Sequence, residues 1–187
     1  LPDKCHGLQD SETRFRQRYL DILSNEDVRN RFEARSVIVT KIRSVLDMQN
    51  FLEVETPTLQ PVYGGGSAVP FVTSYAALNQ DYYLRIADEL YLKRLLVAGY
   101  ERVYEVCKNF RNEGIDSTHS PEFTMLEAYQ AFADLSTMRE LMEKLVVAAV
   151  EAIHGSPVAH FTEYMIDFTP PWRRVTYREA LLEHAGI

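Results

Sequence analysis

Glu127 and Tyr129 stand two positions apart in a segment whose apolar and polar residues alternate. On a strand both side chains point to one face with Phe123 and Met125, while Thr124, Leu126 and Ala128 take the other. A carboxylate beside a phenol on an otherwise apolar face suits a cationic group, because a buried carboxylate without a partner is costly. A structural hydrogen bond from Tyr129 to another strand is the alternative. Arg111 ends the preceding alternating segment, and Glu113 and His119 occupy the loop after it. Arginine grips a carboxylate or phosphate bidentately and stabilises negative charge that develops in a transition state. His119 is a candidate phosphate donor. Against this stands an ordinary surface ion pair between Arg111 and Glu113. Gly64, Gly65, Gly66 and Ser67 offer either a backbone that a ligand can approach closely or a flexible exposed loop. The chain has no Gly-x-x-x-x-Gly-Lys-Ser/Thr, no Gly-x-Gly-x-x-Gly and no local signature of a nucleophile with its base. An enzyme built on these residues works by positioning and electrostatics, as phosphoryl and nucleotidyl transfers do.

The elements that position these groups follow from periodicity. Phe32, Ile38, Ile42, Val45 and Leu46 recur at helical spacing and predict an amphipathic helix over 24–50. It runs into an alternating strand over 51–57 that stops at Pro57. A strand is expected over 82–86, then a helix to about Ala98 that Asp88 can cap and Gly99 ends. Alternating stretches over 103–110 and 122–133, joined by a polar turn-rich loop, read as antiparallel strand, loop, strand. Ser136 opens another amphipathic helix, closed by Gly155, Ser156 and Pro157. A strand or hairpin over 158–168, a break at Thr169, Pro170 and Pro171, and a last helix with a Thr176/Glu179 capping box and Gly186 at its end complete the pattern. The order indicates an α+β fold with a largely antiparallel sheet, and no βαβ alternation supports a Rossmann fold.

The 187 residues are 46% hydrophobic and 25% charged, enough for a real core, which excludes a disordered or collagen-like chain. No apolar run reaches the roughly 20 residues of a membrane span, and the beginning is not a signal peptide, so a soluble, cytoplasmic protein is expected. The net charge of -7 gives no global attraction to nucleic acid or an anionic membrane, although a polyanion can still bind locally. Cys5 and Cys107 are too few and too distant for a disulfide framework or zinc site and read as packing residues. Leu1 is not a natural start, so the chain is expected to be a piece of something longer.

Phe110-Arg111-Asn112-Glu113-Gly114-Ile115-Asp116-Ser117-Thr118-His119-Ser120-Pro121-Glu122-Phe123-Thr124 resembles motif 2 of the class II aminoacyl-tRNA synthetases, in the form typical of lysyl-tRNA synthetase. The helix into Phe51-Leu52-Glu53-Val54-Glu55-Thr56-Pro57 resembles motif 1. Leu84-Arg85-Ile86-Ala87-Asp88-Glu89-Leu90-Tyr91-Leu92-Lys93-Arg94-Leu95 is similar to the lysyl subgroup between the two motifs. His6-Gly7-Leu8 and Arg16-Gln17-Arg18-Tyr19-Leu20-Asp21 resemble its link between anticodon-binding and catalytic domains. The resemblance implies residues 1–24 as that linker and 25–187 as part of a catalytic domain, an incomplete antiparallel sheet flanked by helices. It implies activation of lysine with MgATP to lysyl-adenylate, then transfer to tRNA(Lys). Arg111 then bridges the lysine carboxylate and the α-phosphate, Glu113 reads the adenine amino group, His119 approaches the triphosphate and Phe123 stacks on adenine. Gly65, through its carbonyl, and Glu89 hold the α-ammonium, Tyr129 bonds the ε-ammonium and Glu127 lines the same pocket. A homodimer through the motif 1 helix and strand is implied as well.

Ser120 replaces the family's usual Asn after the motif 2 His, and Val69 replaces a basic residue before Pro70 and Phe71. Motif 3, the carboxylates that hold Mg2+ and the anticodon-binding barrel are absent from these residues, so no metal ligand is assigned here and the piece alone is expected to be inactive. Two other readings are a paralogue that attaches lysine or β-lysine to a protein such as an elongation factor, and a non-catalytic binding module.

Overall fold

The alternation after Glu101 and after Pro121 forms the two longest strands of the molecule, and the functional residues hang on them. The computed structural model describes residues 7–116 and 118–187; residues 1–6, with Leu1, Cys5 and His6, and Ser117 of the loop lie outside the described residues. In chain order the elements are α1 (Ser11–Arg16), α2 (Arg18–Ser24), α3 (Glu26–Met48), β1 (Leu52–Glu53), β2 (Leu59–Gln60), β3 (Val72–Tyr75), β4 (Gln80–Leu84), α4 (Glu89–Val97), β5 (Arg102–Phe110), β6 (Glu122–Gln130), α5 (Leu135–His154), β7 (Val158–Phe161), β8 (Tyr164–Asp167) and α6 (Tyr177–Ala185). They fall into two units, one of residues up to Val45 with Met138–Ile187, the other Leu46–Thr137.

The first unit holds α1, α2, α6 and most of α3 and α5, while α4 belongs to the second. Within the stretch expected as a linker, Asp10 caps α1 by accepting from Thr13 N at 2.8 Å, and the fully buried Asp21 of α2 accepts from Arg14 Nε at 2.9 Å and Asn25 Nδ2 at 2.7 Å. The chain ends as expected, with a β7–β8 hairpin and α6 closed by a complete Thr176/Glu179 capping box and Gly186 in the left-handed region. The N-terminal cap of α5 differs: Asp134, not Ser136, receives Thr137 N at 2.8 Å, since a carboxylate three residues before the amide reaches the free end of the helix.

The second unit carries two three-stranded sheets, ordered β1-β5-β6 and β2-β4-β3. β5 and β6 pair antiparallel from Arg102↔Gln130 to Phe110↔Glu122. β1, however, pairs parallel to β5, which makes this sheet mixed, and the expected strand over 51–57 contributes only Leu52 and Glu53, with Val54 N still bonded to Tyr104 O at 2.9 Å. The chain then leaves the ladder because Thr56 turns to another partner. Its N and Oγ1 donate to Glu105 at 3.2 and 2.6 Å, and its carbonyl and Oγ1 each accept from Arg85 NH1 at 3.1 Å. Arg85 NH1 pairs with Glu105 Oε1 at 2.8 Å, and its Nε donates to Lys108 O at 2.9 Å. Arg85 and Glu105 are only 4% and 3% exposed, among the buried Leu46, Phe51, Ile86, Leu92, Val103 and Tyr104 of this unit.

Breaking a buried, fully hydrogen-bonded ion pair leaves an uncompensated charge. Glu105→Ala is therefore expected to lower the unfolding free energy by about 3–5 kcal/mol, measured by urea denaturation.

Candidate active site

Paired residues of an antiparallel ladder share a face, so Val103, Glu105, Cys107 and Asn109 of β5 lie beside Tyr129, Glu127, Met125 and Phe123 of β6. Tyr129 donates to Glu127 Oε2 at 2.8 Å; its partner is on its own strand, not another one. Glu127 stands opposite Glu105, but Arg85 neutralises only Glu105. Burial raises the Glu127 carboxyl above the usual glutamate range; the Asp88 and Glu89 charges add to this and the Tyr129 hydroxyl opposes it. Burial, followed by the Glu127 carboxylate, likewise pushes the Tyr129 hydroxyl up. This end of the face has an excess of acid.

The other end is basic. The Arg111 guanidinium lies 5.0 Å from the centre of the Phe123 ring, and its Nε is buried without a hydrogen-bond partner. No ion pair between Arg111 and Glu113 forms among the described residues. Glu113 Oε1 instead accepts from Val69 N at 3.4 Å, and Asn112 N donates to Val69 O at 2.8 Å. Position 69 thus meets the loop through its backbone, which any residue but proline supplies. His119 is exposed, with Nδ1 at 2.8 Å from both Asp116 carboxylate oxygens. Asp116 also receives Thr118 N at 2.7 Å and His119 N at 2.8 Å. These bonds shape the loop and leave Nε2 as the ring nitrogen facing away from Asp116.

Gly65 packs against Glu89. Gly65 has φ +83°, and a Cβ there would lie 3.0 Å from the Cβ atoms of both Ala87 and Glu89, so only glycine fits. Glu89 is held by Lys93, Nζ to Oε1 at 2.6 Å, one turn along α4. Sequence reasoning took Asp88 as a helix cap. It occupies the N-cap position of α4 without making the side-chain cap bond, and its carboxyl is fully buried. Glu105 and Asn109 were also missed as site-face residues. The signal was available: polar side chains at every second position of β5, where one face is buried.

Among the described residues, Asp88, Glu105 and Cys107 form a buried group of possible metal ligands within 4.8 Å of one another. They do not fit Mg2+, which takes oxygen ligands in octahedral geometry. Both Glu105 oxygens are committed to Arg85 and Thr56, and burial pushes the Cys107 thiol up to about 12.

The family model for class II tRNA synthetases (D, K and N) matches residues 10–187. The chain belongs to this class II synthetase family. It is 52% identical over 187 residues to a lysine–tRNA ligase from Clostridium novyi (strain NT), covering 100% of this chain and 37% of that protein. A lysine–tRNA ligase from Methanoculleus marisnigri is also 52% identical over the whole chain, and one from Roseiflexus castenholzii is 56% identical over 186 residues, 38% of its length. The chain thus spans a little over a third of the curated relatives it matches. In this class II segment, the motif 2 loop and both strands that flank it are the elements just described.

The raised Glu127 carboxyl has a sign that can be checked. A group protonated more readily when folded stabilises the protein below its unfolded value, and this contribution is lost as pH rises through the folded value. Glu127→Gln is expected to be more stable than the parent at neutral pH and to lose that advantage in acid, by thermal unfolding across pH. Tyr129→Phe removes the one hydrogen bond that opposes the shift and moves Glu127 titration further up, by carboxyl NMR.

Proposed function

We propose that this chain is part of a lysine–tRNA ligase that uses ATP to convert lysine to lysyl-adenylate and then charges tRNA(Lys) in the cytoplasm. The carrying observation is the division of charge along one sheet face, with an unpartnered buried Arg111 Nε against Phe123 at one end and the Glu127–Tyr129 pair at the other. Phe123 and Glu127 are four residues apart, about 13 Å along a strand, a span suited to an extended aminoacyl nucleotide. Adenine stacks on Phe123, and Glu113 accepts from its amino group. Arg111 bridges the lysine carboxylate and the α-phosphate, holding the two reacting groups together and stabilising the negative charge that grows as the carboxylate attacks phosphorus. His119 meets the triphosphate through Nε2. The Gly65 carbonyl and Glu89 hold the α-ammonium, for which Lys93 must yield, and Glu127 and Tyr129 take the ε-ammonium. Mg2+ bound with the nucleotide supplies further charge neutralisation. Phe32, Val37 and Met48 of α3 and Leu52 of β1 are exposed, which supports homodimerisation through this helix and strand.

The test is amino-acid-dependent exchange of pyrophosphate into ATP by the full-length protein that carries this chain. Lysine is expected to support it, and Arg111→Ala to lower kcat by about 10²–10³; exchange with another amino acid and none with lysine overturns the reading. Sedimentation is expected to show a dimer, and a monomer at high concentration contradicts the interface.

A further inference from the structure

Asp88 stands at the N-cap position of α4, yet its side chain makes no bond to that helix. Its carboxyl, 0% exposed, turns to β5 instead, where Oδ1 accepts from Asn109 Nδ2 at 3.3 Å while Oδ2 has no partner. Asn109 is equally buried and is itself held in place: Nδ2 lies 3.4 Å from Met125 Sδ on β6, and Oδ1 lies 3.9 Å from Cys107 Sγ. A buried carboxyl that uses one of its two oxygens is costly, and a pair of apolar side chains of similar shape fills such a space at lower cost. Stability therefore does not account for Asp88, and a buried polar atom left over calls for another explanation. The bond has a geometric consequence. A backbone bond from Phe110 N to Arg85 O, 2.9 Å long, ties the chain to the end of β5 three residues before Asp88. The Asp88–Asn109 bond ties the start of α4 itself.

We propose that the Asp88–Asn109 bond is a strut that sets Glu89 in place relative to Arg111, and that Asp88 and Asn109 are positioning residues for the amino-acid substrate. This rests on the pocket proposed above, in which Glu89 holds the α-ammonium and Arg111 the carboxylate. Those two groups of an amino acid are joined through a single carbon, so the side chains that hold them must keep a fixed separation. Glu89 follows Asp88 as the first residue of α4, and Arg111 stands two positions after Asn109, just past the end of β5. The strut therefore joins the two carriers at the residues next to them. A misplacement of about 1 Å is enough to spoil such a match. α4 lies against β5 and β6; apolar packing of that kind is non-directional, whereas a hydrogen bond has a preferred length and angle. Gly65 takes its position from the same anchor, because it packs on Glu89. The strut needs an acceptor oxygen at position 88 and a donor at 109. It does not need the negative charge.

The experiment measures pyrophosphate exchange by the full-length protein that carries this chain, with lysine and ATP varied in turn. Asp88→Ala is expected to raise KM for lysine about tenfold and to leave KM for ATP unchanged, because Glu113, His119 and Phe123 lie on the loop and β6 rather than on α4. Asp88→Asn keeps the acceptor oxygen and is expected to hold the parental KM, as is the exchanged pair Asp88→Asn with Asn109→Asp. Because the strut acts through Glu89, Asp88→Ala adds nothing to the KM of Glu89→Gln; a general loosening of the sheet face adds in full and raises both KM values. If Asp88→Ala leaves KM for lysine at the parental value while Glu89→Gln raises it, the strut is overturned and the pocket stands. Equal rises in both KM values, or an Asp88→Asn protein that behaves as Asp88→Ala does, overturn the strut as well. If Glu89→Gln leaves KM for lysine unchanged, the pocket falls and the strut with it. Should Asp88→Ala fail to fold, Asn109→Ser withdraws the donor from the strand side, and its KM for lysine decides by the same outcomes.

Discussion

The Arg85–Glu105 ion pair joins parts of the second unit that no backbone ladder connects. Arg85 follows β4, whose sheet also contains β2 and β3, and Glu105 lies in the middle of β5, in the other sheet. Thr56, between the two sheets in sequence, bonds to both charged groups. Such a pair contributes little net stability over an apolar replacement, yet losing one partner is severe, so its value lies in specificity of arrangement. The arrangement it specifies sets the start of α4, against which Gly65 packs, beside the β5–β6 pair.

The same pair sets the electrostatics of that face. By neutralising Glu105 it leaves Glu127, directly opposite, and the buried Asp88 without a basic partner of their own. Burial raises the carboxyls of both Glu127 and Asp88; nearby acids add to it, Asp88 and Glu89 at Glu127 and Glu105 at Asp88. A site that accumulates unbalanced acid at one end and leaves an arginine unsatisfied at the other trades stability for binding, as functional sites commonly do. In the function proposed above, a diamino acid carrying both a carboxylate and a distal ammonium relieves both ends together.

Much of the fold was legible because it is locally encoded. α3, α4, β5, β6 and the capped α6 follow from periodicity and terminal residues, and each formed close to its expected bounds. What escaped was short or non-local. β2 and β3 carry too few residues for a periodic signal, and the parallel pairing of β1 with β5 joins residues about fifty positions apart. The alternation over 51–57 suggested a full strand, but Thr56 has a stronger claim on its backbone and hydroxyl in Glu105 and Arg85.

For the site, the types and spacing of residues determined that Glu127 and Tyr129 share a face, that Arg111 stands at a strand end, and that the loop between the strands has the form of motif 2. Period-two geometry and turn chemistry act over a few residues, so the chain alone suffices for them. Only the tertiary structure decided the partners: Tyr129 bonding to Glu127, Arg111 resting on Phe123 instead of pairing with Glu113, Gly65 pressed against Glu89, and Asp88 buried rather than capping its helix. Hydrogen bonds and desolvation depend on which groups packing brings within about 3 Å of one another, and for residues tens of positions apart that is a property of the fold.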